Sequence, residues 1–163
     1  LRELRSNNKF DIANGPGIRT SIFVQGCPIH CPGCFNQETW DFKGGKPFTI
    51  ETERSIINSM NEHIAGLSVL GGEPLTPQNY DVLLRFLHAF KLQFPNKTIW
   101  LWTGYEWQGV KTFSIMDYID VCVAGPFDIT KRDLSLKWCG SSNQQVIDVK
   151  KTKAAGLVTL YKG

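Results

Sequence analysis

The sequence predicts an α/β fold, an incomplete and open (β/α) barrel of about five or six βα units, in a single domain over residues 1–163. Three observations predict it. Runs of β-branched and aromatic residues alternate with stretches of helical period, which implies parallel strands joined by crossovers. Glycine-bearing turns follow four of these strands, at the end where such folds gather their reactive groups. A closed eight-stranded barrel takes about 250 residues; 163 residues leave one side open.

Residues 1–9 are polar and charged, carry no usable pattern, and read as a surface lead-in. Asn14-Gly15-Pro16-Gly17 is a turn by composition. Residues 18–24 form a first strand, ended by Gly26. Residues 52–65 read as a helix with Ile56, Ile57, Met60 and Ile64 on one face, stopped by Gly66. A short strand follows at 67–70. Pro77 suits the first position of a longer helix, with Thr76 as its cap. Its apolar stripe is Tyr80, Leu83, Leu84, Leu87, Phe90 and Phe94, and Pro95 ends it. A third strand spans 98–102, weaker helical material spans 106–119, and a fourth strand at 121–124 is closed by Gly125-Pro126. Residues 145–148 and 157–161 read as further strands flanking a lysine-bearing segment.

The chemistry concentrates in one loop. Three of the five cysteines, Cys27, Cys31 and Cys34, fall within eight residues after the first strand. Three soft thiolates on one short loop select iron–sulfur or zinc. An iron–sulfur cube usually takes four cysteines, so three leave one iron open to a ligand. Structural zinc held by Cys27, His30, Cys31 and Cys34 is the alternative; such sites more often pair two ligands from each of two segments. A disulfide is disfavoured by the odd cysteine count and by the absence of a secretory segment. Gly71-Gly72-Glu73, Thr103-Gly104 and Gly125-Pro126 each end another strand, so all four meet at one mouth.

Composition narrows the class. Apolar residues make up 42% and charged residues 20%, an ordinary globular balance. A net charge of +3 is too small to argue for nucleic acid. No apolar run approaches the ~18 residues of a membrane span, and no signal-peptide core is evident, so a cytoplasmic protein is expected.

The CxxxCxxC loop followed by Gly71-Gly72-Glu73-Pro74 resembles the radical S-adenosylmethionine enzymes. Asn14-Gly15-Pro16-Gly17, Cys31-Pro32-Gly33-Cys34-Phe35-Asn36, Trp100-Leu101-Trp102-Thr103-Gly104-Tyr105 and Trp138-Cys139-Gly140-Ser141-Ser142-Asn143-Gln144 further resemble activating proteins of anaerobic ribonucleotide reductase, over nearly the whole chain. Two departures stand out: Glu73 where many such activators have Asp, and Gln145 where some have Arg.

The resemblance implies a [4Fe–4S] cluster on the catalytic Cys27, Cys31 and Cys34, with S-adenosylmethionine bound through the open iron. It places Gly71, Gly72 and Glu73 at the amino group of S-adenosylmethionine, and Gly33, Cys34 and Phe35 at its adenine. The implied reaction is reductive cleavage to a 5′-deoxyadenosyl radical, which takes hydrogen from a glycine of the reductase's large subunit. A flavodoxin-type or similar donor would supply the electron. A small-molecule enzyme like 7-carboxy-7-deazaguanine synthase, which also carries Gly-Gly-Glu-Pro, and an activator of another glycyl radical enzyme stay open. A zinc-stabilised binding module is the non-enzyme alternative.

Gly71 and Gly72 read as letting the backbone approach a ligand, so Gly72→Val is expected to weaken ligand binding and spare the iron. Arg19 reads either as a carboxylate partner at the mouth or as a surface arginine. Cys122 reads as a small apolar strand residue, Cys139 has no assigned role, and at least one of Trp100 and Trp102 is core. Lys150, Lys151 and Lys153 read as a solvated face or a dock for an acidic partner.

Overall fold

β-branched and aromatic runs build the centre of the sheet from four parallel strands: β2 (Ile18–Val24), β4 (Ile64–Gly71), β5 (Thr98–Thr103) and β6 (Val121–Ala124). This computed structural model describes residues 3–163; Leu1 and Arg2 of the expected lead-in lie outside the described residues. The rest of that segment is not a lead-in. Residues from Glu3 to Asp11 form β1, antiparallel to β2, and the two-residue β3 (Lys46–Pro47) pairs with β1. β7 (Gln145–Asp148) pairs antiparallel with β6 at the other edge. The order is β3-β1-β2-β4-β5-β6-β7, open at both ends. Antiparallel edges confine the βα repeat to the three crossovers between the four central strands.

The helices are α1 (Ile50–Asn58), α2 (Pro77–Gln93), α3 (Trp107–Val110) and α4 (Val149–Ala155). Helix α1 starts at a Thr49/Thr52 capping box. It stops earlier than its apolar period suggests, because Asn61 builds a turn: its side chain accepts from His63 N at 2.8 Å and its carbonyl from Ile64 N at 3.2 Å. Ile64 thereby opens β4 instead of closing the helix. Thr76 does occupy the N-cap of α2, yet its hydroxyl makes no cap bond and is buried without a partner. The expected helical stretch at 106–119 is α3 plus a 3-10 turn, Ser114–Asp117. The expected last strand at 157–161 reduces to one bridge, Ile147 to Leu160.

All four helices bury apolar residues against one face of the sheet: Ile56 from α1, Leu83, Phe86, Leu87 and Phe90 from α2, Trp107 and Val110 from α3, and Val149 from α4. They meet alternate strand residues, among them Ile22, Val24, Leu67, Val69, Ile99 and Leu101. Burying each such side chain contributes roughly 1.5–3 kcal/mol. Cys122 belongs to this core and is fully buried. Among the described residues, none of the four α-helices packs on the opposite face, where Trp100, Val121 and Val123 are covered by Trp102, Trp138, Cys139, Val146 and Tyr161.

Arg19 takes neither role expected of it. It is completely buried, near the start of β2 and away from the mouth. Its guanidinium donates to Ser68 Oγ at 2.9 Å, Leu67 O at 2.8 Å, Thr98 O at 2.9 Å, Thr98 Oγ1 at 2.9 Å and Pro16 O at 3.3 Å. It thus staples β2, β4 and β5. Burial pulls its pKa down to about 10. Ser68 Oγ in turn donates to Asn14 O at 2.5 Å, fixing the Asn14–Gly17 turn. Among the described residues, no helix is long and apolar enough to cross a membrane.

Candidate iron–sulfur and ligand site

Gly26, at φ 100°, turns the chain out of β2 into the cysteine loop, and a Cβ there would fall 2.1 Å from the Phe42 ring. The loop is closed from beneath. Gly26 N donates to Thr39 O at 2.6 Å and Cys27 N to Trp40 O at 3.1 Å. The Gln25 side chain donates to Glu38 O at 3.0 Å and Asp41 O at 2.7 Å. Cys34 N donates to Cys31 O at 3.1 Å, tightening the loop's second half.

Cys27, Cys31 and Cys34 are free, partly exposed thiols. All three line one cavity of about 150 Å³, together with Gly71, Gly72, Glu73, Thr103, Gly104 and Gly125. The four strand ends expected at one mouth are therefore brought together. A neighbouring cavity of about 330 Å³ shares Cys34, Asn36, Leu70, Trp102, Phe127 and Gln144 with it and adds Asn14, Phe35, Trp138 and Cys139.

The donor set suits a cluster. Three thiols converge on one space, and backbone hydrogen bonds reach the sulfurs: from Ile29 and His30 to Cys27, from Phe127 to Cys31, and from Asn36 N to Cys34 Sγ at 3.3 Å. Such bonds favour anionic sulfur. Burial still pushes the Cys27 and Cys31 thiols up, with smaller upward contributions from Glu73. Iron offsets that penalty, since a coordinating thiol is deprotonated outright. Among the described residues, no three His, Cys, Asp or Glu side chains converge on a single-ion site. His30, the fourth ligand of the zinc alternative, stacks on Trp40 at 4.3 Å and 9° and does not line the cavity.

The glycines of the second loop line the cavity and also let two loops pack together. A Cβ on Gly72 would sit 2.4 Å from Gly26 O, and one on Gly71, at φ 109°, 2.7 Å from Val24 N. Their lack of side chains lets this loop pack on the backbone leading to Cys27. Gly72 N donates to Val24 O and Glu73 N to Gly26 O, both at 2.8 Å.

Glu73 is 1% exposed. Its carboxylate accepts from Leu75 N at 2.9 Å, Thr103 Oγ1 at 2.8 Å and Gly104 N at 2.6 Å, tying the end of β4 to that of β5. Burial pushes its pKa up to about 7 against the pull of those donors. Gly33 lines neither cavity; at φ 74° it packs on Ile129, where a Cβ would meet Cδ1 at 2.1 Å. Phe35 is 57% exposed, so it is not core, and its ring lies 5.1 Å from Phe127 on the rim of the larger cavity.

Sequence reasoning missed two residues that hold the mouth together. Asn79 on α2 is 1% exposed and donates to Gln25 O at 3.3 Å and Glu73 O at 3.0 Å. Its signal was an amide in register with Leu83 and Leu87 on the buried stripe. Gln144 accepts from Gly140 N at 2.9 Å and Ser141 N at 3.1 Å and donates to Gly125 O at 3.0 Å, fastening the 138–144 loop to the end of β6. Trp102 Nε1 adds a bond to Trp138 O at 2.6 Å.

Two of the three lysines make surface pairs, Lys150 with Asp120 at 2.9 Å and Lys153 with Asp117 at 2.6 Å.

Residues 13–147 match the family model described as a 4Fe-4S single cluster domain. The chain is 43% identical over 141 residues to the anaerobic ribonucleoside-triphosphate reductase-activating protein of Escherichia coli (strain K12), covering 83% of this chain and 92% of that protein. Identity to the protein of that name in Vibrio cholerae is 40% over 141 residues, covering 83% and 91%. To that of Enterobacteria phage T4 it is 38% over 139 residues, covering 83% and 87%.

Proposed function

Because the chain belongs to the 4Fe-4S single cluster family of anaerobic ribonucleoside-triphosphate reductase-activating proteins, we propose that it installs a glycyl radical on the large subunit of its cognate reductase. The observation that carries this reading is the convergence of Cys27, Cys31 and Cys34 with the Gly71–Glu73 and Thr103–Gly104 strand ends on one cavity. When bound to these cysteines, a [4Fe–4S] cluster supplies the one electron that cleaves S-adenosylmethionine to methionine and a 5′-deoxyadenosyl radical.

The chain's own residues bind and orient. Cys27, Cys31 and Cys34 would hold the cluster, and three thiolates are one fewer than a cube usually takes. The backbone of Gly71, Gly72 and Glu73 faces the amino group of S-adenosylmethionine, while the Glu73 carboxylate braces the strand ends. Cys34 and Phe35, with Gly33 shaping the loop beneath them, face the adenine. The larger cavity, rimmed by Asn14, Phe35, Trp138 and Gln144, admits the glycine-bearing segment. Glycine has no Cβ to block approach to the near-attack distance of roughly 3–3.5 Å.

Helices on one face only, with the other open beside the cavities, support an incomplete (β/α) barrel of radical S-adenosylmethionine type in one domain. We place the protein in the cytoplasm, with a flavodoxin-type or similar small protein as electron donor. The test is a titration of the anaerobically reconstituted, reduced protein with S-adenosylmethionine. The cluster's electron paramagnetic resonance spectrum should change, and an unchanged spectrum would remove the ligand assignment.

A further inference from the structure

Two loops must keep a fixed separation for the proposed reaction: the one that carries the cluster cysteines and the one that carries Gly71, Gly72 and Glu73. They come from different strands, β2 and β4. Two backbone bonds join them directly, Gly72 N to Val24 O and Glu73 N to Gly26 O, both at 2.8 Å. Both run from the second loop to the first and leave the carbonyls of Gln25 and Glu73 facing α2. Asn79 meets both from outside. Its Nδ2 donates to Gln25 O at 3.3 Å and Glu73 O at 3.0 Å, and the residue is 1% exposed.

An amide is the chemistry that fits here. One NH₂ group has two N–H donors, one for each carbonyl, and carries no charge to desolvate. A carboxylate of the same shape would present acceptors to two acceptors. An apolar residue would leave two buried carbonyls without their bonds. The backbone of α2 holds the amide still, since Asn79 sits in its first turn and shares a face with the buried Leu83 and Leu87.

We propose that Asn79 is a positioning residue for the activation reaction, clamping the cluster loop and the S-adenosylmethionine loop at their working separation. It touches neither reacting group. The proposal rests on the function read above, and it says where that function depends on a side chain outside both motifs. Loss of the clamp should displace bound S-adenosylmethionine relative to the open iron, and a misplacement of about 1 Å can cost on the order of a hundredfold in rate.

The test compares Asn79→Ser, Asn79→Ala and Asn79→Asp in the full chain after anaerobic reconstitution. Iron per chain and melting temperature report the fold and the cysteine loop. Titration of the reduced proteins with S-adenosylmethionine, followed by the cluster's paramagnetic resonance spectrum, reports ligand placement. We expect Asn79→Ser and Asn79→Ala to retain iron, with kcat for 5′-deoxyadenosine formation lowered about tenfold or more and the apparent KM for S-adenosylmethionine less affected. Asn79→Asp should be worse than Asn79→Ala, because it opposes the carbonyls. Iron loss in step with activity in all three variants would overturn the proposal, since Asn79 would then serve only the fold. So would unaltered titrations. If the unmutated chain formed no 5′-deoxyadenosine, the functional reading would fall by itself, and the spectral titrations would still decide the clamp.

Discussion

A Cβ placed on Gly72 would lie 2.4 Å from the carbonyl oxygen of Gly26, so the second loop and the backbone leading to Cys27 are in contact where only hydrogen fits. No flexible side chain stands between them to give way. Gly72→Val must therefore move the cysteine loop as well as crowd any ligand. The expectation that this variant spares the cluster is revised: iron per chain should fall to less than about half of the unmutated value, because misplaced ligands bind metal poorly. Full iron content in Gly72→Val would show that the loops separate easily.

The cysteines should divide cleanly. Cys27→Ala, Cys31→Ala and Cys34→Ala each remove a sulfur from the shared cavity and should abolish stable cluster assembly. Cys122→Ala only empties a buried position in β6, so about four irons should be retained, as expected for one [4Fe–4S] centre. Cys139→Ala should likewise keep them, since Cys139 borders the larger cavity and not the one that all three loop cysteines line. Iron and sulfide analysis after anaerobic reconstitution decides both arms.

Arg19→Leu should destabilise the apo chain by about 3 kcal/mol or more, because buried Leu67 O and Thr98 O lose charged donors and a large side chain is not refilled. Arg19→Lys should recover little, since an ammonium cannot reproduce the forked geometry. Urea unfolding with unchanged m-values is the measurement. A loss under about 1 kcal/mol would mean that the staple is redundant.

Asp120 accepts from Lys91 Nζ at 2.7 Å and Ile99 N at 2.8 Å, and Lys150 stands 2.9 Å away. These bonds outweigh burial and hold its carboxyl below the usual aspartate range. A depressed folded pKa contributes stability that is fully present above the unfolded value near 3.9 and is lost as pH falls through the folded one. Asp120→Asn should therefore lower stability at pH 7 and flatten its decline below about pH 4. Lys91→Met should cost more than Lys150→Ala, because Lys150 is largely exposed and its pair is worth at most about 1 kcal/mol. Equal effects of the two lysine variants would contradict that ranking.

The parts of this fold legible in the sequence were those written locally. Residues 18–24, 121–124 and 145–148 are short stretches rich in β-branched residues, and all three are strands with those limits. The cysteine spacing needs no tertiary information either. β1 was illegible because its sequence, ELRSNNKFD, has no clean alternation, and its strand character comes from pairing with β2. Arg19 was misread for a related reason: Ser68 and Thr98, which explain it, stand 49 and 79 residues away. Asn79 was hidden in part by the 54 residues between it and Gln25, and the packing of Gly72 on the carbonyl of Gly26 joins two loops that are distant in sequence.

The central claim is that the radical generated here passes to a glycine of the partner reductase. The most direct measurement uses that reductase labelled with deuterium at the glycine Cα, mixed with the reduced, cluster-loaded protein and S-adenosylmethionine. The account predicts deuterium in the 5′-deoxyadenosine and a glycyl radical signal on the large subunit that has lost its coupling to the Cα hydrogen. Unlabelled 5′-deoxyadenosine with no radical on the reductase would contradict it.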